Sequence, residues 1–159
     1  MALERREMRR LYFDIDGTFL VDDTGEPKPA LADGALEAAV IRSGVEKLVC
    51  IGNFVDAART AEEIEPSYDG LGVIFDICRG VFSDKSWFRS VTSLVKDPMN
   101  RANEVDLEGD WWYVDDLAEH YFQIAGRDAV FRRNIGGRIL VPSSGGDGTD
   151  VLKWLDHIS

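Results

Sequence analysis

Apolar residues in this chain fall into short runs, separated by longer stretches in which they recur every three or four positions. Leu11-Tyr12-Phe13 is brief, aromatic-rich and bounded by charge, the pattern of a buried strand. Lys47 to Ile51 is a second such run. Trp111 to Val114 is a third, ending in Asp115-Asp116, and Arg138 to Val141 is a fourth, broken by Pro142. Between the first two, Leu31, Ala35, Leu36, Ala39 and Val40 keep helical spacing from Ala30 to Ser43, with Gly44 placed to cap the end. Phe54 to Ile64 is rich in Ala and Glu and predicts a helix that stops before Pro66. The closing segment carries Val151, Leu152, Leu155 and Ile158 on one face, with Thr149 or Asp150 as its N-cap. Asp22, Asp23, Gly25, Pro27 and Pro29 make residues 19–29 a turn-rich excursion. Within residues 66–95 the period is ambiguous: Leu71 to Val81 suits helix or strand, and Val91 to Val95 suits a further strand.

Strands alternating with helices argue for parallel pairing. The expected fold is an α/β, doubly wound three-layer sandwich with a mostly parallel central sheet, Rossmann-like, in one domain over residues 1–159. Ligands collect at the carboxyl ends of the strands in such sheets. Asp14 and Asp115 each follow a predicted strand, so parallel pairing would set them on one edge. No internal repeat, low-complexity tract or linker interrupts the pattern.

Composition narrows the partners. The chain has 159 residues, 45% of them hydrophobic and 30% charged, enough for a proper core in a folded domain. A formal charge of −11 disfavours nucleic acid and anionic membrane surfaces, which would repel it. Cys50 and Cys78 both lie in apolar settings and read as buried thiols, which suits a reducing compartment. Met1 to Arg10 is highly charged without an apolar core of the signal-peptide kind, and no apolar run approaches membrane-spanning length. A cytoplasmic location is the expectation.

The candidate chemistry starts at Asp14-Ile15-Asp16-Gly17-Thr18. Two carboxylates two positions apart at a strand end are costly to desolvate, and both would shift toward their neutral forms unless compensated. A divalent cation is the usual compensation, and Gly17 lets the chain turn sharply past it. A bare Asp-x-Asp would more simply be a polar strand end and a turn; the apolar strand before it and the Gly-Thr after it favour a site. Phe13-Asp14-Ile15-Asp16-Gly17-Thr18 resembles the first motif of the haloacid dehalogenase-like superfamily, most of whose members are phosphatases. The resemblance implies that Asp14 attacks phosphorus and that Asp16 is the general acid/base, with Thr18 beside the substrate.

Trp112-Tyr113-Val114-Asp115-Asp116 resembles the superfamily's fourth motif, which implies that Asp115 completes a metal site with Asp116 in support. The competing role is helix N-capping, since Asp116 precedes Leu117-Ala118-Glu119. Oxygen ligands without a His or Cys cluster point to Mg2+ rather than zinc, with Asp14, Asp16 (through its main-chain carbonyl) and Asp115 as the implied ligands. A lysine should orient the nucleophile and offset phosphate charge; Lys96, following an apolar run, is preferred over Lys85, and for either the competing fate is a solvated surface lysine. The second motif departs from the family pattern. Where Ser or Thr is expected at the end of the second strand, Gly52 stands, leaving its N–H and the amide of Asn53 as phosphate donors. A lost donor of this kind costs ~3 kcal/mol of transition-state stabilisation. The competing role for Gly52-Asn53 is an ordinary turn into the next helix.

Asp147-Gly148-Thr149 repeats part of the first motif, but Gly145 occupies the nucleophile position, and residues 143–148 suit a flexible loop. Trp87, Phe88, Trp111 and Trp112 suit the core, with Trp87 and Phe88 also placed to line an entrance. His120 and His157 have no metal-ligand partners at useful spacing. Too few residues separate the first motif from the second strand for a folded cap. The resemblance therefore implies a small capless magnesium-dependent phosphohydrolase working through an aspartyl-phosphate. Its substrate would be a phosphorylated small molecule or an exposed phosphate on something larger, and its open site would also suit a homo-oligomer whose neighbour supplies a lid. The rival is a catalytically weakened binding or regulatory protein on the same fold, with Gly52 as the first sign of decay.

Overall fold

The computed structural model describes residues 8–67 and 69–159; the first seven residues of the charged N-terminal segment lie outside the described residues. Five parallel strands form one sheet in the order β3-β2-β1-β4-β5. They are β1 (Arg9–Phe13), β2 (Lys47–Cys50), β3 (Thr92–Leu94), β4 (Asp110–Val114) and β5 (Ile139–Leu140). The four expected apolar runs supply β1, β2, β4 and β5, and Val91 to Val95 supplies β3 at the sheet edge. All pairings are parallel, one step beyond the mostly parallel expectation. The central β1 is apolar and buried from Leu11 to Phe13 because both sheet faces are covered there.

The helices are α1 (Ala35–Arg42), α2 (Phe54–Ile64), α3 (Gly70–Cys78), α4 (Lys85–Val91), α5 (Ala118–Ile124), α6 (Asp128–Asn134) and α7 (Thr149–Ile158), with 3₁₀ turns at Pro29–Leu31 and Pro98–Glu104. The ambiguous Leu71 to Val81 is helical because its two turns bury Ile74, Phe75 and Cys78 against neighbours in α2 and α4. Gly44 sits just past α1 in the left-handed region (φ 78°), as a helix C-terminal cap requires. At α7 the expected cap is corrected: neither Thr149 nor Asp150 caps it, and Gly148 holds the N-cap position at φ 93°, where a Cβ would meet the buried Leu31 side chain at 2.6 Å. Asp147 Oδ1 accepts the Thr149 N–H instead (2.9 Å).

Chain direction across the sheet reverses at β1. The crossovers β1→β2→β3 run one way and β4→β5 the other, so right-handed connections set α1 to α4 on one face and α5 and α6 on the opposite face. That is a Rossmann-like three-layer arrangement with its topological switch point beside β1, where a crevice opens beyond the strand ends. The turn-rich residues 19–29 form a small hairpin, with Leu20 paired to Pro27 and the Val21 N–H bonded to Glu26 O (2.8 Å). Phe13, Phe19, Phe82, Phe88 and Trp87 pack ring against ring in the core, so Trp87 and Phe88 support the sheet and do not line the crevice. Cys50 and Cys78 are free, buried thiols; burial pushes Cys50 up to about 12 and Cys78 in the same direction. Among the described residues no helix is long and apolar enough to cross a membrane.

Candidate active site

β1 and β4 run in register, with Phe13 beside Val114, so the residues that follow them emerge side by side at the switch point. The Asp14 N–H bonds Val114 O (3.0 Å), and the Asp115 N–H bonds Leu140 O (3.2 Å). Parallel pairing therefore puts Asp14 and Asp115 on one edge, as the chain pattern predicts. Carboxylate oxygens of Asp14, Asp115 and Asp116 lie within 4.8 Å of one another. A cleft of about 640 Å³ opens above them, and Asp14, Asp16, Asn53, Arg101 and Asp116 reach its wall.

The cation that faces these carboxylates is Arg101. Its side chain is only 2% exposed, although it sits in the short 3₁₀ turn Pro98–Glu104. Nη1 lies 3.3 Å from Asp115 Oδ2 and 3.5 Å from Asp14 Oδ1, Nη2 donates to Asn53 Oδ1 (3.1 Å), and Nε donates to Pro98 O (2.6 Å). The guanidinium carbon also lies over the Tyr121 ring, 3.6 Å from its centroid. A planar fork can join two carboxylates, an amide and an aromatic face at once; an ammonium cannot. Lys96 is corrected accordingly. It is exposed, its N–H bonds Glu104 Oε1 (2.8 Å), and it is absent from the cleft wall. Lys85 begins α4, equally exposed.

Asp115 and Asp116 both offer a carboxylate oxygen to the cluster with Asp14, and they differ in exposure to the cleft. Asp115 is completely buried, and its oxygens are engaged by the Leu117 N–H (2.9 Å), the Tyr113 hydroxyl (3.1 Å) and Arg101. It accordingly supports the site from beneath. Asp116 reaches the cleft, its N–H donating to Thr18 Oγ1 (3.2 Å). It is not an N-cap, because α5 begins after Leu117 and Asp115 receives the leading N–H. Thr18 is corrected too. It is fully buried and absent from the cleft wall, with Oγ1 3.3 Å from Asp14 Oδ2 and 3.4 Å from Asp116 Oδ1, so it aligns carboxylates and not substrate. Gly17, at φ 76°, turns the chain as expected and also leaves room for Asp116, whose Oδ2 would sit 2.4 Å from any Cβ there.

Gly52 has a local reason. A Cβ at this position would stand 2.4 Å from Asp14 Oδ1, so the bare backbone is what lets the Asp14 carboxylate lie against β2. Gly52 does not reach the cleft wall and Asn53 does, so the expected part in phosphate binding passes to Asn53. Asp16 projects toward the hairpin, where its Oδ1 accepts the Asp23 N–H (3.2 Å) and its carboxyl meets Asp22. Its side chain thus stands apart from the Asp14 cluster; any part in the metal site would be through its main-chain carbonyl. Lys28, in the turn-rich segment, is fully buried and donates from Nζ to Ser143 O (2.8 Å), tying the hairpin to residues 143–148; its sequence neighbourhood gives no sign of this.

Electrostatics set the balance. Burial, then the Asp115 charge, pushes the Asp14 carboxyl well above the usual carboxylate range, with Arg101 opposing. Burial raises Asp115 from 3.8 to about 6, again against Arg101. Burial and the hydrogen bond with Asp22 raise Asp16. Three converging carboxylates outnumber the Arg101 guanidinium and the Lys28 ammonium, whose charge also reaches Asp116, and all the donors are oxygens. The set fits a hard divalent cation, with Asp14 and Asp116 presenting side-chain oxygens to the cleft.

The raised pKa values carry a stability consequence. Below 3.8 both the folded and unfolded forms hold the Asp115 proton; between 3.8 and about 6 the folded form holds more, so stability falls as pH rises through that window. Asp14 acts in the same direction. Thermal unfolding of the protein in EDTA is expected to occur about 4 °C or more lower at pH 7.5 than at pH 5. Asp115→Asn should reduce the difference, leaving the Asp14 contribution, and a midpoint independent of pH in wild type would contradict this account.

Comparison of the chain with family models, with curated proteins and with solved structures returns no match.

Proposed function

We propose that the protein is a divalent-cation-dependent phosphohydrolase, magnesium being the fitting ion, and that it acts through an aspartyl-phosphate on Asp14. The observation that carries this reading is the convergence of Asp14, Asp115 and Asp116 under Arg101 at the switch-point crevice. On this reading Asp14, held by Thr18 and Arg101 at the cleft wall, is the nucleophile that attacks phosphorus in line. Attack forms the Asp14 Oδ–P bond and breaks the ester P–O bond. Asp16 supplies the proton to the departing alkoxide, then takes one from the water that hydrolyses the acyl-phosphate and regenerates Asp14. Its carboxyl at the cleft wall, raised by burial and Asp22, suits the first of those duties. Asn53 offers amide donors to a phosphoryl oxygen while its own Oδ1 is pinned by Arg101. Magnesium held by Asp14, Asp116 and the Asp16 carbonyl would neutralise charge on the transferring group and let a dianion approach an acidic site. Asp115 fixes Arg101 beneath it.

The rival reading, a weakened binding protein, drew its support from Gly52. The close approach of Asp14 at that position supplies another reason for the glycine. The expected outcome is hydrolysis of p-nitrophenyl phosphate in magnesium that disappears in EDTA and returns on adding the metal back. Magnesium binding without turnover would favour the rival; neither binding nor turnover would sink both.

Gly52→Ser tests the local geometry. On the motif pattern alone, the added hydroxyl should help. Here its Cβ would displace the attacking carboxylate, and misplacement of a reacting group by an ångström outweighs one gained donor. The magnesium-dependent kcat is expected to fall about tenfold or more. An increase would show that Asp14 tolerates the displacement.

A further inference from the structure

The cleft wall is unusual for a site that handles phosphate, because it is almost devoid of cations. Among the described residues, Arg101 is the one Lys or Arg that lines it. Its Nε and Nη1 and one Nη2 donor are committed to Pro98, Asp14, Asp115 and Asn53, which leaves little beyond a single N–H for ligand. It lies at the floor, 2% exposed, where only the transferring phosphoryl group would meet it. Among the described residues that line the cleft, no cation is left at the mouth to hold a second phosphate or a carboxylate.

The mouth carries the opposite sign. Asp22 and Asp23, both exposed, reach the cleft from the hairpin. The rest of the lining is mixed: Leu117, 53% exposed, and Phe54 are apolar, Ser144 is polar and exposed, and Tyr121 is buried against Arg101. A leaving group bearing further negative charge would meet two uncompensated carboxylates at short range. A leaving group bearing an ammonium would find two counter-charges, with Leu117 and Phe54 offering apolar surface to its stem.

We infer, on the basis of the phosphohydrolase reading, that the substrate is a phosphomonoester whose leaving group carries a positive charge and no further anion, an aminoalkyl or quaternary-ammonium alkyl phosphate. The phosphoryl end sits over Asp14, the alkyl stem lies along Leu117 and Phe54, and the cationic end faces Asp22 and Asp23. Nucleoside polyphosphates, sugar bisphosphates and phosphorylated carboxylic acids are excluded by the same charges.

Three substrates of nearly equal length isolate the effect: 3-aminopropyl phosphate, butyl phosphate and 2-carboxyethyl phosphate, with p-nitrophenyl phosphate alongside. In magnesium at low salt, kcat/KM is expected to fall about tenfold from the ammonium to the neutral ester and again to the carboxylate. Raising the salt should compress the ratios, as screening requires. The double variant Asp22→Asn, Asp23→Asn should bring the ammonium-to-carboxylate ratio down at least tenfold. Equal turnover of all three esters, or ratios unaltered in the double variant, would overturn the inference while leaving phosphatase activity standing. Absence of turnover on every ester, p-nitrophenyl phosphate included, would overturn the phosphohydrolase reading and this inference with it.

Discussion

Asp14→Asn is expected to reduce magnesium-dependent phosphatase turnover by about 10⁴-fold or more, to the level of the assay blank. An amide cannot attack phosphorus with a full negative charge or form the acyl-phosphate, and the neighbouring carboxylates have other parts: Asp115 is buried and fully engaged, and Asp116, on the proposed reading, holds the metal. The fold should survive. Asn keeps the shape and can still meet Thr18 and Arg101, while removing a carboxylate that burial and Asp115 already disfavour in its charged form. The unfolding midpoint in EDTA at pH 7.5 should therefore stay level or rise. That combination, activity lost and stability kept, separates a reacting group from a structural one. Turnover above about one per cent of wild type would rule Asp14 out as nucleophile.

The second large effect is on stability. Arg101→Ala leaves Asp14 and Asp115 in the interior with no cation, opens the space over Tyr121 and strands the Asn53 side chain. Removing one partner of a buried ion pair costs about 3–5 kcal/mol, and for a chain of this size that lowers the unfolding midpoint by about 10 °C. The penalty should depend on pH in a particular sense. At pH 5, below the value of about 6 for Asp115, the stranded carboxyl can take up a proton and the loss shrinks; at pH 7.5 it is fully felt. Arg101→Lys restores charge without the fork to Pro98 and Asn53, so it should recover part of the stability and little of the activity. Adding Asp115→Asn to Arg101→Ala should recover stability by removing the unpaired charge. A midpoint for Arg101→Ala within about 2 °C of wild type at pH 7.5 would refute the assignment.

Much of the frame was legible along the chain because its causes are local. Leu11-Tyr12-Phe13, Lys47 to Ile51 and Trp111 to Val114 announce strands through burial of short apolar runs, and Phe54 to Ile64 announces a helix through composition and the proline that follows. Leu71 to Val81 stayed ambiguous because a short apolar segment buried on several sides loses its period; contact with α2 and α4 made it a helix. The division between Asp115 and Asp116 left a faint trace, since Tyr113 and Asp115 share one side of β4 by their two-residue spacing, and Tyr113 is core. The Arg101 signal was fainter. A cation is demanded by any buried carboxylate pair, but the expected pattern directed attention to a lysine after an apolar run, and Arg101 stands in a polar turn.

By itself, then, the sequence determined the alternation of elements, the parallel sheet that alternation implies, and the arrival of Asp14 and Asp115 at the same strand ends; each follows from periodic burial and from the reach of short connections. The tertiary structure alone decided that Arg101 and not Lys96 faces those carboxylates, that Asp116 reaches the cleft while Asp115 underlies it, that Thr18 aligns carboxylates, and that Gly52 makes room for Asp14. Those outcomes depend on distances between segments far apart in the chain, where a few ångströms separate a buried ion pair from a solvated side chain.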